Sequence, residues 1–277
     1  MEILDKDSID TYILANLSVG ERGRACSKEL IREVVGLILY RLKTGCQWRL
    51  LPLKQFFTTQ ALTWQGVYYH FNEWVKDGSW TKVWIGILSV HKSNLDLSSI
   101  QLDGSHTPCK QGGEAVGYQK RKAAKTTNSL FLADNQGQML ACATPQSGKH
   151  HDLFNIQTLF EELCEILVKA GIDLKGLFLN ADAGFDSQEL RRICKEKQIE
   201  ANIANNSRNG MLQSDNYQYF DEELYRYRTV IEHANAWMDS FKALLVRFEK
   251  KTITWVALML LAFSVRFLRK IKQKSKS

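Results

Sequence analysis

Apolar residues near the start of the chain recur at three- and four-residue spacing. Leu30, Val34, Ile38 and Leu42 share one face of a helix predicted over 28–43, and Gly45 stops it. Thr59 is placed to cap a second helix running to about residue 76. Trp64, Tyr68, Phe71 and Val75 form its stripe, and Gly78 terminates it. Ser79 can cap a third helix over about 80–91. Stripes at this spacing are first of all core. Short helices with basic residues outside are also compatible with a helix-turn-helix DNA reader. Residues 1–92 are therefore expected to form a small all-helical, helix-turn-helix-like DNA-binding domain.

Beyond about residue 98 the period changes. Residues 99–107 read as a strand carrying Asp103, and 129–133 and 138–144 as two short strands joined by a turn over 134–137. His151-Asp152 is read as opening a helix with Phe154, Leu159, Leu163 and Leu167 on its apolar face. The near-continuous apolar run 177–181 marks a strand buried on both faces, with Asp182 at its carboxyl end. Asp186 or Ser187 caps a helix to about residue 197, 199–204 is another strand, and a long helix is expected over about 222–245. This order predicts an α/β fold, a ribonuclease-H-like mixed sheet flanked by helices, over 93–277. The apolar segment 253–265 is 13 residues long, short of the roughly 20 a membrane span needs. It reads as a buried core helix, and no membrane is expected.

Charge sharpens the picture. The net charge is +7. A C-terminal run holds Arg266, Arg269, Lys270, Lys272, Lys274 and Lys276 without an acid, and Lys110, Lys120, Arg121, Lys122 and Lys125 form a second cluster opposed only by Glu114. Such clusters suit a polyanion such as DNA, or simply a solvated surface. The 6 cysteines contain no CxxC pair, and the N-terminus MEILDKDSID is polar, unlike a secretory signal. A reducing cytoplasm is expected.

Candidate chemistry rests on carboxylates. Asp103 lies in an otherwise uncharged strand, where an acid is costly unless offset. Taken alone it is as readily an acid at a strand end facing water. Asp182 sits beyond the carboxyl end of a buried strand, where ligands of open α/β sheets gather. Asp186 can cap the next helix, which leaves Asp182 free. Glu232 lies on a packed helix with Arg228 and Tyr225 at i−4 and i−7, on one face. Converging carboxylates can hold Mg²⁺ while leaving room for water and phosphate. Spacing alone does not establish convergence.

At these residues the chain resembles a known family. The segment 39–52, LYRLKTGCQWRLLP, is similar to the family's aliphatic-Tyr-Arg-x-x-Thr-Gly-Cys-x-Trp-Arg-x-Leu-Pro stretch, and Val67-Tyr68, Phe71, Trp74 and Asp77-Gly78 continue it. Leu102-Asp103-Gly104-Ser105, Gly148-Lys149-His150-His151-Asp152 and the 181–187 segment ADAGFDS resemble the central motifs. The 225–232 segment YRYRTVIE fits a Tyr-x2-Arg-x3-Glu signature. Together these resemble bacterial insertion-sequence transposases of the DDE class, in the insertion-sequence-five family. One departure stands out: the signature's Lys, seven residues after the Glu, is Asp239 here, and Lys242 follows three residues later. On a helix, ten residues fall about 80° from the starting face.

The resemblance implies a DNA transposase that binds terminal inverted repeats and cleaves and joins DNA strands. It implies two Mg²⁺ ions, replaceable by Mn²⁺, held by Asp103, Asp182 and Glu232 as catalytic ligands. Tyr225, Arg228 and Lys242 become DNA contacts. The partners are double-stranded DNA, both terminal repeats and target, with a homodimer on DNA in a bacterial, nucleoid-associated cytoplasmic setting. His151 and Asp152 match a recurring segment, but opening and capping a helix accounts for them. The alternatives are a catalytically inactive DNA-binding relic and a metal-dependent nuclease without strand transfer.

Overall fold

A computed structural model describes residues 3–18, 26–58, 61–206 and 220–274. In chain order the helices are α1 (Lys6–Ser8), α2 (Lys28–Thr44), α3 (Leu53–Phe56), α4 (Trp64–Lys76) and α5 (Ser79–His91). Strands β1 (Ile100–Pro108), β2 (Gly117–Gln119), β3 (Ala124–Asp134), β4 (Met139–Cys142) and β5 (Gln146–Ser147) follow. Then come α6 (Ile156–Lys169), β6 (Phe178–Ala181), α7 (Gln188–Glu196), β7 (Glu200–Ile203), α8 (Glu222–Arg226), α9 (Val230–Met238), α10 (Lys242–Leu245) and α11 (Thr252–Lys274). The chain divides into two compact units. One is Met1–Val90, Lys110–Glu114 and Met238–Ser277, and the other is His91–Cys109 and Ala115–Trp237.

The first unit is helical. Ser27 caps α2 by accepting from the Leu30 N–H, and Gly45 ends it in the left-handed region at φ 69°. The cap expected at Thr59 lies outside the described residues; α4 starts at Trp64, with Thr63 accepting from the Gly66 N–H. Val34, Leu37, Ile38, Val67, Phe71, Val83, Trp84 and Ile87 are buried. So is most of the apolar length of α11, where Phe263 meets the Trp84 ring edge-on at 5.7 Å. By length and composition the 23-residue α11 could cross a membrane. Its apolar residues are nevertheless core residues of this unit, including Trp255, Leu258, Leu261 and Phe267. Glu114 accepts from both the N–H and hydroxyl of Thr252 at its first turn. The basic end of α11 is partly structural. Lys272 Nζ pairs with Asp5 at 2.8 Å, holding that carboxyl far below the usual range, and Arg269 Nε donates to the Ile3 carbonyl.

The second unit is a mixed α/β layer structure. Its 7-stranded sheet runs β2-β3-β1-β6-β7, with β4 and β5 also paired to β3. β3 is antiparallel to β1, whereas β1, β6 and β7 are parallel. The long β3 pairs from Thr126 to Asp134 with β1 on one side and with β2, β5 and β4 in turn on the other. The turn after β3 is organised by buried Asp134, whose carboxylate accepts from the N–H groups of Asp96, Gln136 and Gln138. Gly137 takes φ 70° there, and a Cβ at that position would lie 3.0 Å from the Val230 carbonyl oxygen. A single glycine thus closes the hairpin and admits the first residue of α9.

Three expectations change. The long helix over 222–245 is broken into α8, a 3₁₀ turn Tyr227–Thr229, α9 and α10. The break after Met238 lets Phe241 adopt extended backbone and bury its ring fully. The helix expected to open at His151-Asp152 begins at Ile156, after Asn155 in the left-handed region. Phe154 therefore lies before it, with its ring stacked on His150 at 3.6 Å. Finally, β2 and β5 are additional short strands, too brief and too polar to show a two-residue period.

The first unit also buries an ion pair. Arg41 Nη2 donates to Glu249 Oε1 at 2.5 Å, with both side chains 8% exposed and the guanidinium 4.5 Å from the Trp48 ring centroid. Removing one partner strands the other charge, so Glu249→Leu should cost about 3–5 kcal/mol in urea unfolding. Adding Arg41→Met should recover most of that loss. Additive single-variant costs would show that the two groups act independently.

Candidate active site

Asp103 and Asp182 are set by neighbouring parallel strands. Ile100 pairs with Leu179 and Gln101 with Asn180. Continuing that register by two residues puts Asp103 level with Asp182, on strands about 4.8 Å apart. Because side chains alternate along a strand, Gln101, Asp103, Asn180 and Asp182 belong to one face. Asp182 also accepts from the Gly184 N–H at 2.8 Å, which caps the turn after β6 and fixes the carboxylate at the strand end.

That face is covered by the segment carrying the third acid. Buried Asn202 donates to Asn180 Oδ1 at 2.8 Å and to the Asp221 carbonyl at 2.9 Å, and accepts from the Asp221 N–H. Asn180 in turn donates to the Leu224 carbonyl at 2.7 Å. These two asparagines fasten α8 across β6 and β7. The connection then leads to α9, where Asn235 Nδ2 donates to Asp103 Oδ2 at 3.1 Å. Glu232 is three residues before Asn235, about one helical turn from that contact. Its Oε1 lies 3.2 Å from Arg228 Nη1, and its side chain is 55% exposed. The Arg228 guanidinium sits 5.9 Å from the Tyr225 ring centroid, and Tyr225 meets Phe220 at 5.0 Å. Lys242, in contrast, opens the separate helix α10 rather than extending α9.

Electrostatics single out Asp103. Its carboxyl is raised to about 7, chiefly by burial and in addition by the charges of Asp152 and Asp182, against the lowering effect of the Gly104 N–H and Arg228. Asp152 is not the helix cap the sequence suggested. Its Oδ1 accepts from Asn128 Nδ2 at 2.7 Å, and a Cβ at Gly104 would come within 2.3 Å of the same oxygen. Gly104 and Asp103 point to opposite faces, so Asp152 approaches β1 from behind the acid whose charge it opposes. Only glycine at 104 leaves space for it. Nothing in the local pattern disclosed this approach. The Asn180 contact had one visible trace, a polar residue inside an apolar run.

The donor set fits a hard divalent cation. Asp103, Asp182 and Glu232 offer carboxylate oxygens, and the crowding of negative charge at Asp103 is what such a cation would relieve. Among the described residues, no three carboxylate, imidazole or thiol groups already converge as a ligand set. Asp103 lies within β1, Asp182 just past the end of the adjacent β6, and Glu232 on α9, whose Asn235 reaches Asp103. Acids disposed in this way on such a sheet are chemically suited to metal-assisted phosphoryl transfer.

Comparison with known families agrees. Residues 12–84 match a family described as "Putative transposase of IS4/5 family", and residues 95–267 match the family "Transposase DDE domain". The chain belongs to the DDE transposases. Its fold is accordingly ribonuclease-H-like, and divalent metal ions are what such domains generally use. No curated protein and no solved structure matches the chain.

A buried acid with a raised pKa leaves a pH signature. The folded state holds the Asp103 proton more tightly than the unfolded chain, so stability is fullest below about 4. It declines as pH rises through about 7. In EDTA at pH 8, Asp103→Asn should therefore be more stable than the parent by about 1–3 kcal/mol, with the advantage vanishing near pH 4. Equal urea midpoints at both pH values would refute the electrostatic account.

Proposed function

We propose that the chain binds the terminal inverted repeats of its element and catalyses metal-dependent strand cleavage followed by strand transfer into target DNA. The observation that carries this reading is the register that sets Asp103 beside Asp182 under the helix bearing Asn235 and Glu232. Asp103, Asp182 and Glu232 are the residues that would hold the cation, taken as a pair of Mg²⁺ ions with Mn²⁺ as substitute. When bound, such ions neutralise phosphoryl charge and activate the attacking oxygen.

The chain's own residues do the rest. Asn235 orients the Asp103 carboxylate through its amide N–H. Arg228, held between Tyr225 and Glu232, offers a guanidinium to a phosphate. Glu232 is exposed enough to meet a strand arriving from solvent. Lys242 supplies a further cation toward DNA from its own helix. The active form is a homodimer on DNA in the cytoplasm, with no role for a membrane.

The test is cleavage of the element's ends with Mg²⁺. Replacing Asp103, Asp182 or Glu232 with Ala should reduce cleavage by at least about 10³-fold while leaving binding to the ends within a few-fold. Retained cleavage in any one variant would remove that residue from the assignment. Parent protein that binds the ends without cutting them would instead favour an inactive relic, for which Asp239 in place of the signature Lys is the sequence sign. Cutting without joining would favour a nuclease.

A further inference from the structure

The β2–β3 hairpin carries chemistry that the acidic site does not use. It stands at the edge of the sheet, at the far end of the strand that bears Asp103. Lys120, Arg121, Lys122 and Lys125 are all exposed on it, and no acid occurs between Ala115 and Thr127. Lys120, Arg121 and Lys125 form no ion pair among the described residues. Tyr118 is 56% exposed and lies directly across from Lys125, so ring and cation share one face of the hairpin. Exposed Lys149 adds to the cluster, because its backbone nitrogen would lie 2.9 Å from a Cβ at Gly117.

The hairpin is braced rather than loose. Lys122 Nζ donates to the His106 carbonyl at 2.9 Å. The His106 ring is held by Thr126 Oγ1 at 3.1 Å and by Gln119 Nε2 at 3.3 Å. The turn closes through Ala123 N–H to the Lys120 carbonyl, with Ala123 at φ 48°. An L-residue in the left-handed region signals a turn fixed by its surroundings. From Asp103 to the hairpin's base, where Pro108 pairs with Thr126, is five residues of strand. That is roughly 16 Å, or about five nucleotide steps of B-DNA.

We propose that this hairpin clamps the DNA strand flanking the position to be cut. Lys120, Arg121 and Lys125 neutralise successive phosphates, and the Tyr118 ring stacks on a base left unpaired there. The proposal rests on the transposase reading above. An acidic protein or an anionic membrane would satisfy the cations alone, but an exposed ring on the same hairpin face as the cations suits stacking on single-stranded nucleic acid beside its phosphates.

The test is binding of the full chain in EDTA, by fluorescence anisotropy across a salt series. The probes are a duplex of arbitrary sequence, about 30 base pairs long, and the same duplex with a 3′ single-stranded overhang of roughly eight nucleotides, long enough to pass the hairpin. The triple variant Lys120→Ala/Arg121→Ala/Lys125→Ala should lower the slope of log K against log salt by about 2–3 on both probes. Tyr118→Ala should weaken the overhang probe by about 10-fold and the blunt probe by less than about 2-fold, and Tyr118→Trp should restore binding. The altered side chains are exposed, and circular dichroism checks that each variant is folded. An unchanged slope overturns the clamp, and a lowered slope with no effect at Tyr118 overturns the stacking. Parent protein that binds neither probe overturns the transposase reading itself.

Discussion

A carboxylate placed inside a sheet, beside a second carboxylate, is the constraint around which the second unit is built. Asp103 pays for burial with a carboxyl raised to about 7, and the surrounding structure keeps it there rather than relieving it. The parallel pairing of β1 and β6 brings Asp182 alongside, and the glycine at 104 lets Asp152 approach from the other face. Asn235 and the backbone N–H of Gly104 favour the charged form at short range, with Arg228 acting from further away. Such an arrangement weakens the fold at neutral pH. It is intelligible as a site kept ready for a cation.

The short helix that leads into α9 is held by polar contacts rather than by burial of its own surface. α8 is five residues long and contributes no buried side chain. It is fixed because Asn180 and Asn202 reach out of the sheet to the backbone at Leu224 and Asp221. A one-residue slip of β6 would turn Asn180 and Asp182 to the opposite face together. The same register that pairs the acids therefore also places the segment carrying Tyr225, Arg228 and Glu232.

In the first unit the decisive element is α11. Its apolar face fills the space among the N-terminal helices, and two of its terminal cations hold the chain's beginning through Asp5 and Ile3. A basic C-terminus that looks like a polyanion-binding tail is thus partly occupied within the fold. The β2–β3 hairpin is the cluster whose cations stay exposed.

The sequence by itself determined whatever depends on local periodicity and local chemistry. Helix α2 with its Gly45 stop belongs here, as do the β3–β4 hairpin, the buried strand before Asp182 and the helix α7 that follows it. The candidate acids were legible as motifs, because their neighbours in sequence are part of the signature. Tertiary structure alone decided what depends on contacts between distant residues. Asp152 reads as a helix opener until Gly104 and Asn128, far from it in sequence, turn it toward β1. A continuous helix over 222–245 satisfies the local pattern, yet burying Phe241 breaks it before Lys242. The pairing of Asp103 with Asp182 follows from strand register, which the chain settles only when the sheet forms.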